Sequence, residues 1–168
     1  MIENLLREQA AILKRLEVLE TRDVVPVVAR YSTNAQQSIA NNTLTVVNFE
    51  DVTFDPWAAV TIGAAWVFTA PVAGYYHVTA RVLFAANAGW INTEDCVLSL
   101  YLNGALFSHL DFLDNFEANT GASVGGSDII HLAKGDAINI RVLQVSGGAV
   151  ALNAAAEYSH VAIERVKG

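Results

Sequence analysis

The residues best suited to chemistry lie in two short stretches. Asp111-Phe112-Leu113-Asp114-Asn115-Phe116-Glu117 brings carboxylates and an amide close together, the oxygen donors that a hard cation such as calcium takes. The plainer reading of that stretch is a solvated loop with aromatic anchors, in which Asp111 and Asp114 remain candidates for ligand contact. The second stretch, Asn87 to Asp95, contains Trp90. A loop on a rigid scaffold is where ligand contacts collect, but a tryptophan there would equally plug the end of a sandwich. His77, His109, His131 and His160 are scattered without metal-ligand spacing and read as surface or packed strand residues. The chain carries no H-E-x-x-H, G-x-S-x-G, P-loop or dinucleotide fingerprint, so the expectation is a non-enzymatic protein with no cofactor, calcium being the one open question.

Composition narrows the partners. The formal net charge is -7, against the clustered Lys/Arg surface that phosphate neutralisation requires, so nucleic acid is not expected. Hydrophobic residues make up 53% and charged residues 16%, which means either a large core or apolar surface that meets other subunits. Cys96 is the single cysteine and forms no intrachain disulfide; its setting, Asp95-Cys96-Val97-Leu98, suits a small buried hydrophobe. No charged residue occurs between Asp55 and Arg81, but Pro56, Gly63, Pro71 and Gly74 break the run, which reads as two buried strands and not a membrane span. Charges from Glu3 to Glu20 leave no apolar stretch resembling a secretory signal.

Two periodicities divide the chain. Ile2, Leu5, Gln9, Ile12, Leu16 and Leu19 follow the alternating three- and four-residue steps of a heptad seam, widened by Leu6 and Leu13. A stripe that wide suits more than two strands; a surface helix packed on its own domain is the alternative. Val25-Pro26-Val27 stops the helix because proline lacks the donor and restricts its predecessor. The division is therefore a coiled-coil helix over 1–24, a linker over 25–30 and a β domain over 31–168. Strands are expected over 29–32, 43–49, 59–69, 75–85, 97–102, 105–110, 127–132, 137–145 and 159–166. Asn103-Gly104 is a hairpin signal, since a type I′ turn needs positive φ at both central residues, and Lys134-Gly135-Asp136 punctuates later strands. So many short strands make a sandwich or jelly roll.

Four stretches in order resemble the C1q-like branch of the C1q/tumour-necrosis-factor jelly-roll superfamily. They are Val47 to Asp55; Phe68-Thr69-Ala70-Pro71-Val72-Ala73-Gly74-Tyr75-Tyr76; Leu102-Asn103-Gly104; and Ser127 to Leu132 followed by Lys134-Gly135-Asp136-Ala137-Ile138. The resemblance implies a mainly β jelly-roll sandwich that forms a homotrimer around an apolar axis, commonly behind a trimeric stalk. Some C1q-like trimers bind calcium, which is the family's bearing on the acidic loop. The short heptad helix stands where the animal proteins carry collagen, and no Gly-X-Y repeat occurs, which sets the animal immune role aside. An extracellular-type knob without export signal or disulfide fits a virion protein assembled in the host cytoplasm. The expected function is a trimeric phage capsid decoration or spike knob on the virion surface, moored by its N-terminal region to other virion proteins such as the major capsid protein. A receptor- or host-glycan-binding fibre tip, or a secreted C1q-like adhesin, is the alternative.

Overall fold

The computed structural model describes residues 2–22, 25–87, 90, 95–114 and 119–166, and within the helix the side chains of residues 4 and 6–15. Among the described residues, helix α1 (Ile2–Arg22) precedes thirteen strands. Sheet I runs β2 (Gln37–Ile39), β12 (Val150–Leu152), β7 (Gly74–Asn87), β13 (His160–Val166), β1 (Val28–Ser32), β4 (Asp51–Phe54), with β10 (Thr120–Leu132) also paired to β7. Sheet II runs β5 (Val60–Thr61), β6 (Val67–Thr69), β11 (Ala137–Gln144), β8 (Asp95–Leu102), β9 (Ala105–Asp114), with β3 (Thr45–Val46) on β11. Every pairing is antiparallel. The expected mainly β sandwich with one N-terminal helix is what the chain forms.

Side-chain alternation along β7 explains the layering. Tyr76, Val78, Ala80, Val82 and Phe84 are wholly buried, while Tyr75, His77, Thr79 and Arg81 point the other way. β11 does the same from the opposite sheet with Ile138, Ile140 and Val142. Period-two burial on facing sheets is what packs two pleated layers around one core. Aromatic edges close the packing: Trp66 meets Phe49 and Tyr31 at centroid distances of 5.3 and 6.3 Å. The Tyr31 hydroxyl donates to Asp55 Oδ2 at 2.9 Å, and burial together with that carboxylate pushes the phenol well above its ordinary range.

The expected strand over 59–69 is two short strands. Gly63, at φ 97°, turns the chain so that Trp66 N donates back to Gly63 O and the indole reaches the core. The strand expected over 43–49 shrinks to β3 because Gln37 replaces part of a ladder: its amide donates to Val46 O and accepts from Asn48 N. β2, β4 and β12 are too short, or too exposed on both faces, for periodicity to reveal. β1 opens at Val28, inside the stretch read as linker, with Val27 and Ala29 already in the core.

Two turns singled out in the sequence lock to each other. Asn103 and Gly104 have φ 49° and 84°, as the hairpin requires, and Gly135 sits at φ 92°. Asn103 Nδ2 donates to Asp136 Oδ1 at 2.9 Å, Ala133 N donates to Asp136 Oδ2 at 2.8 Å, and Ala137 N donates to Asn103 Oδ1 at 2.9 Å. The Asn103 bond first, and then the Ala133 amide, hold the Asp136 carboxyl below its ordinary range. A depressed carboxylate stabilises the fold above its unfolded pKa, and that contribution is lost as pH falls through the lower folded value. Asp136→Ala should therefore lower the melting temperature at neutral pH, with the deficit closing in acid; a deficit independent of pH would refute the ionic lock.

The sandwich closes along one side where β10 of sheet I meets β9 of sheet II. A bulge in β9 between His109 and Asp111 leaves Leu110 unpaired. A Cβ on Gly126 would collide with the Leu110 carbonyl oxygen, so only glycine lets the two backbones approach. Asp111 Oδ2 accepts from Gly125 N at 2.9 Å and staples the same crossing. Gly126→Ala should cost about 1 to 3 kcal/mol by forcing the strands apart, read as a shift in the urea midpoint; an unchanged midpoint would show that the closure tolerates a side chain.

Candidate functional site

The outward face of sheet I is built by register. Tyr75 lies between Val166 on β13 and His131 on β10, its ring 5.0 Å from the imidazole. One step along, His77 lies between Glu164 and Ile129, with Nδ1 3.3 Å from Glu164 Oε1. Next, Thr79 lies between Ala162 and Ser127, and then Arg81 between His160 and Gly125. β1 adds Val28 beside Glu164 and Arg30 beside Ala162, and β4 adds Phe54 beside Arg30.

Tyr75 is 58% exposed and Ile129 56%, unusual for large apolar side chains in the middle of a sheet. Because Ala162 and Thr79 are small, the ground between Phe54, Val28 and His77 is hollow. The resulting cavity of about 290 Å³ is also lined by Ala29, Ile163 and Glu164. Exposed Tyr75, Ile129, Val166 and Phe54, set around a hollow and interspersed with a few polar groups, are the kind of surface that marks a contact with another macromolecule.

Sheet II presents a different outer face. Arg141 stacks over Tyr101, 4.1 Å from the ring centroid, and its Nε donates to Asn139 Oδ1. Ser99 Oγ and His109 Nδ1 are 2.9 Å apart. The centre of that face is polar and internally bonded, and its exposed apolar residues Leu106, Phe107 and Phe112 lie on the marginal strand β9.

No protein-family model and no curated protein matches the chain. Solved structures do. The Eiger TNF of S. frugiperda superposes with a TM-score of 0.61 at 13% identity, over 84% of this chain and 93% of that one. Murine APRIL at pH 5.0 gives 0.60 at 15% identity, over 84% and 100%. The globular domain of zebrafish complement 1qA protein gives 0.57 at 17% identity, over 85% and 98%. The chain has the TNF/C1q jelly-roll fold. At these identities the likeness is one of fold, and it bears out the jelly-roll fold expected from the four sequence stretches without singling out the C1q-like branch.

Within that jelly roll the sequence candidates fall in different places. Trp90 is fully buried in the core, edge-on to Phe84 with centroids 6.1 Å apart, as the plug of its two readings would be. Asp111 is engaged by the Phe112 and Gly125 amides. Asp114 is exposed at the end of β9, opposite Asp95. Residues 115–118 lie outside the described residues, as do 88, 89 and 91–94, and among those described no three metal-ligating side chains cluster. Gln9 and Ile12 of the heptad seam are exposed along with Leu6 and Leu13; the side chains of Ile2, Leu5, Leu16 and Leu19 lie outside the described residues. Cys96 is buried.

The sheet I face is what sequence reasoning missed. Its signal was present in β7, where Tyr75, His77, Thr79 and Arg81 alternate with core residues. The partners across the strand pairs come from β10 and β13, about 50 and 85 residues away in sequence. Three of the four histidines, read as scattered, share this one face.

Proposed function

We propose that the protein is a non-enzymatic homotrimeric knob, a capsid decoration or spike on a phage virion, moored through its N-terminal helix to other virion proteins such as the major capsid protein. The exposed apolar face of sheet I carries the trimer reading. Tyr75, Ile129, Phe54 and Val166 are 58, 56, 45 and 41% exposed, so covering them gains roughly half of the ~1.5 to 3 kcal/mol that burying a fully exposed large apolar side chain brings, a contribution each protomer repeats. The helix adds a second apolar surface: Leu6, Ile12 and Leu13 are each more than half exposed in the single chain. Three such helices wound together would extend the axis by about 30 Å.

The virion setting rests on the chain's own character. A jelly-roll knob of the C1q type, preceded by a heptad helix and with its single cysteine buried, suits assembly in a host cytoplasm and display on the particle surface. The helix is then the mooring and the jelly roll the outward part.

Tyr75→Asp with Ile129→Asp places unpaired carboxylates in the proposed contact, where each costs several kcal/mol. Light scattering should give three chains for the wild type and one for this variant, with the β dichroism unchanged. Ile12→Asp with Leu16→Asp should leave the knob trimeric but abolish co-sedimentation with particles. A monomeric wild type would refute the trimer; normal particle binding by the helix variant would refute the mooring.

A further inference from the structure

One end of the sheet I face gathers two arginines and a histidine. His160 opens β13 with Arg81 of β7 on one side and Ser32 of β1 on the other; Arg30 is two residues before Ser32, beside Ala162. Each group is held by a neutral partner. Arg30 Nη1 donates to Thr53 Oγ1 at 3.2 Å, and Arg81 Nε donates to Ser123 Oγ at 3.0 Å. His160 Nδ1 is 3.1 Å from the Ala156 carbonyl, which places the proton of the neutral ring on Nδ1 and leaves Nε2 open.

Among the described residues no carboxylate lies within 4 Å of any of the three, the one ion pair being His77 with Glu164. Asp51, across β1 at the end of the same row, accepts from Asn34, and Glu157 is exposed in the β12–β13 connection. Burial, and then Arg30 and Arg81, push His160 below its ordinary pKa. Two guanidinium groups beside a histidine, with no carboxylate partner among the described residues, are a local inversion of charge in a chain of net charge -7.

We propose that Arg30, Arg81 and His160 form a binding site for an oxyanion. Guanidinium groups present paired donors that match sulfate, phosphate and carboxylate oxygens, and Thr53 and Ser123 keep the two arginine side chains from collapsing onto the surface. An anion seated among the three relieves their mutual repulsion, so it favours protonated His160, and by linkage binding tightens as pH falls through the histidine range. The oxyanion is either free or a carboxylate of a second copy; only that second source rests on the assembly reading.

Inorganic sulfate is the probe, since it stays dianionic throughout. The full-length protein is titrated with it at constant ionic strength while the His160 imidazole is followed by NMR. Sulfate should move the His160 titration to higher pH and bind at least ~3-fold more tightly at about pH 5.5 than at about pH 7.5. Arg81→Gln should weaken binding by roughly tenfold and Arg81→Lys by less.

For a free oxyanion the Tyr75→Asp, Ile129→Asp chain binds sulfate as the wild type does, whatever its assembly state. For a neighbour's carboxylate, His160 titrates at higher pH in the assembled protein than in that variant, and sulfate competes with assembly. A His160 titration that neither sulfate nor assembly moves, or an Arg81→Gln variant that binds sulfate as well as the wild type, overturns the site. A wild type that is monomeric yet binds sulfate overturns the assembly reading alone.

Discussion

The register of β7 is the constraint on which the rest of the molecule depends. This strand pairs with β10, β13 and β12, and its alternation sends Tyr76, Val78, Ala80, Val82 and Phe84 into the core. A slip of one residue would exchange that set for Tyr75, His77, Thr79 and Arg81, burying a guanidinium and an imidazole without partners. The cost makes a single register decisive. The same register that fills the core therefore assembles the outward face, so packing and surface chemistry are two consequences of one alternation.

Closure follows from glycine where two backbones must touch. The bulge at Leu110 and the bare Cα of Gly126 let β9 lean onto β10, so the two sheets become one sandwich on that side. Near the other end of β8 and β11, the Asn103 and Asp136 side chains tie the hairpin to the β10–β11 corner. Both devices set where β10 and its following corner sit against sheet II, while the β10–β7 ladder itself places Ile129 and His131 beside His77 and Tyr75.

How much of this was legible in the sequence depends on the range of the interaction involved. The helix, the hairpin at Asn103-Gly104 and the Gly135 corner were readable because their causes are local: a heptad, a pair of positive φ angles, a left-handed position. The jelly-roll class was readable because turn signals and strand alternation recur along the chain. The face on sheet I was not, because it depends on which strands lie side by side, and antiparallel pairing at long separation leaves no mark in any one strand. Gly126 falls outside the strand expected over 127–132, and its need arises only from Leu110 across the sandwich. Trp90 illustrates the converse: the loop around it left a tip and a plug equally open, and the packing on Phe84 puts the side chain in the core.

The central claim is that the sheet I face is covered in the assembled protein. In the single chain Tyr75 is 58% exposed and Ile62, on the β5–β6 turn, 57% exposed, so each can report on its own surroundings from the same starting point. Hydroxyl-radical footprinting of the full-length protein, compared with a dilution series toward the free chain, reads both residues at once. The account predicts that Tyr75 is strongly protected in the concentrated sample while Ile62 reacts equally at every concentration. Equal reactivity of Tyr75 across the series, or protection of Ile62 in its place, would contradict it.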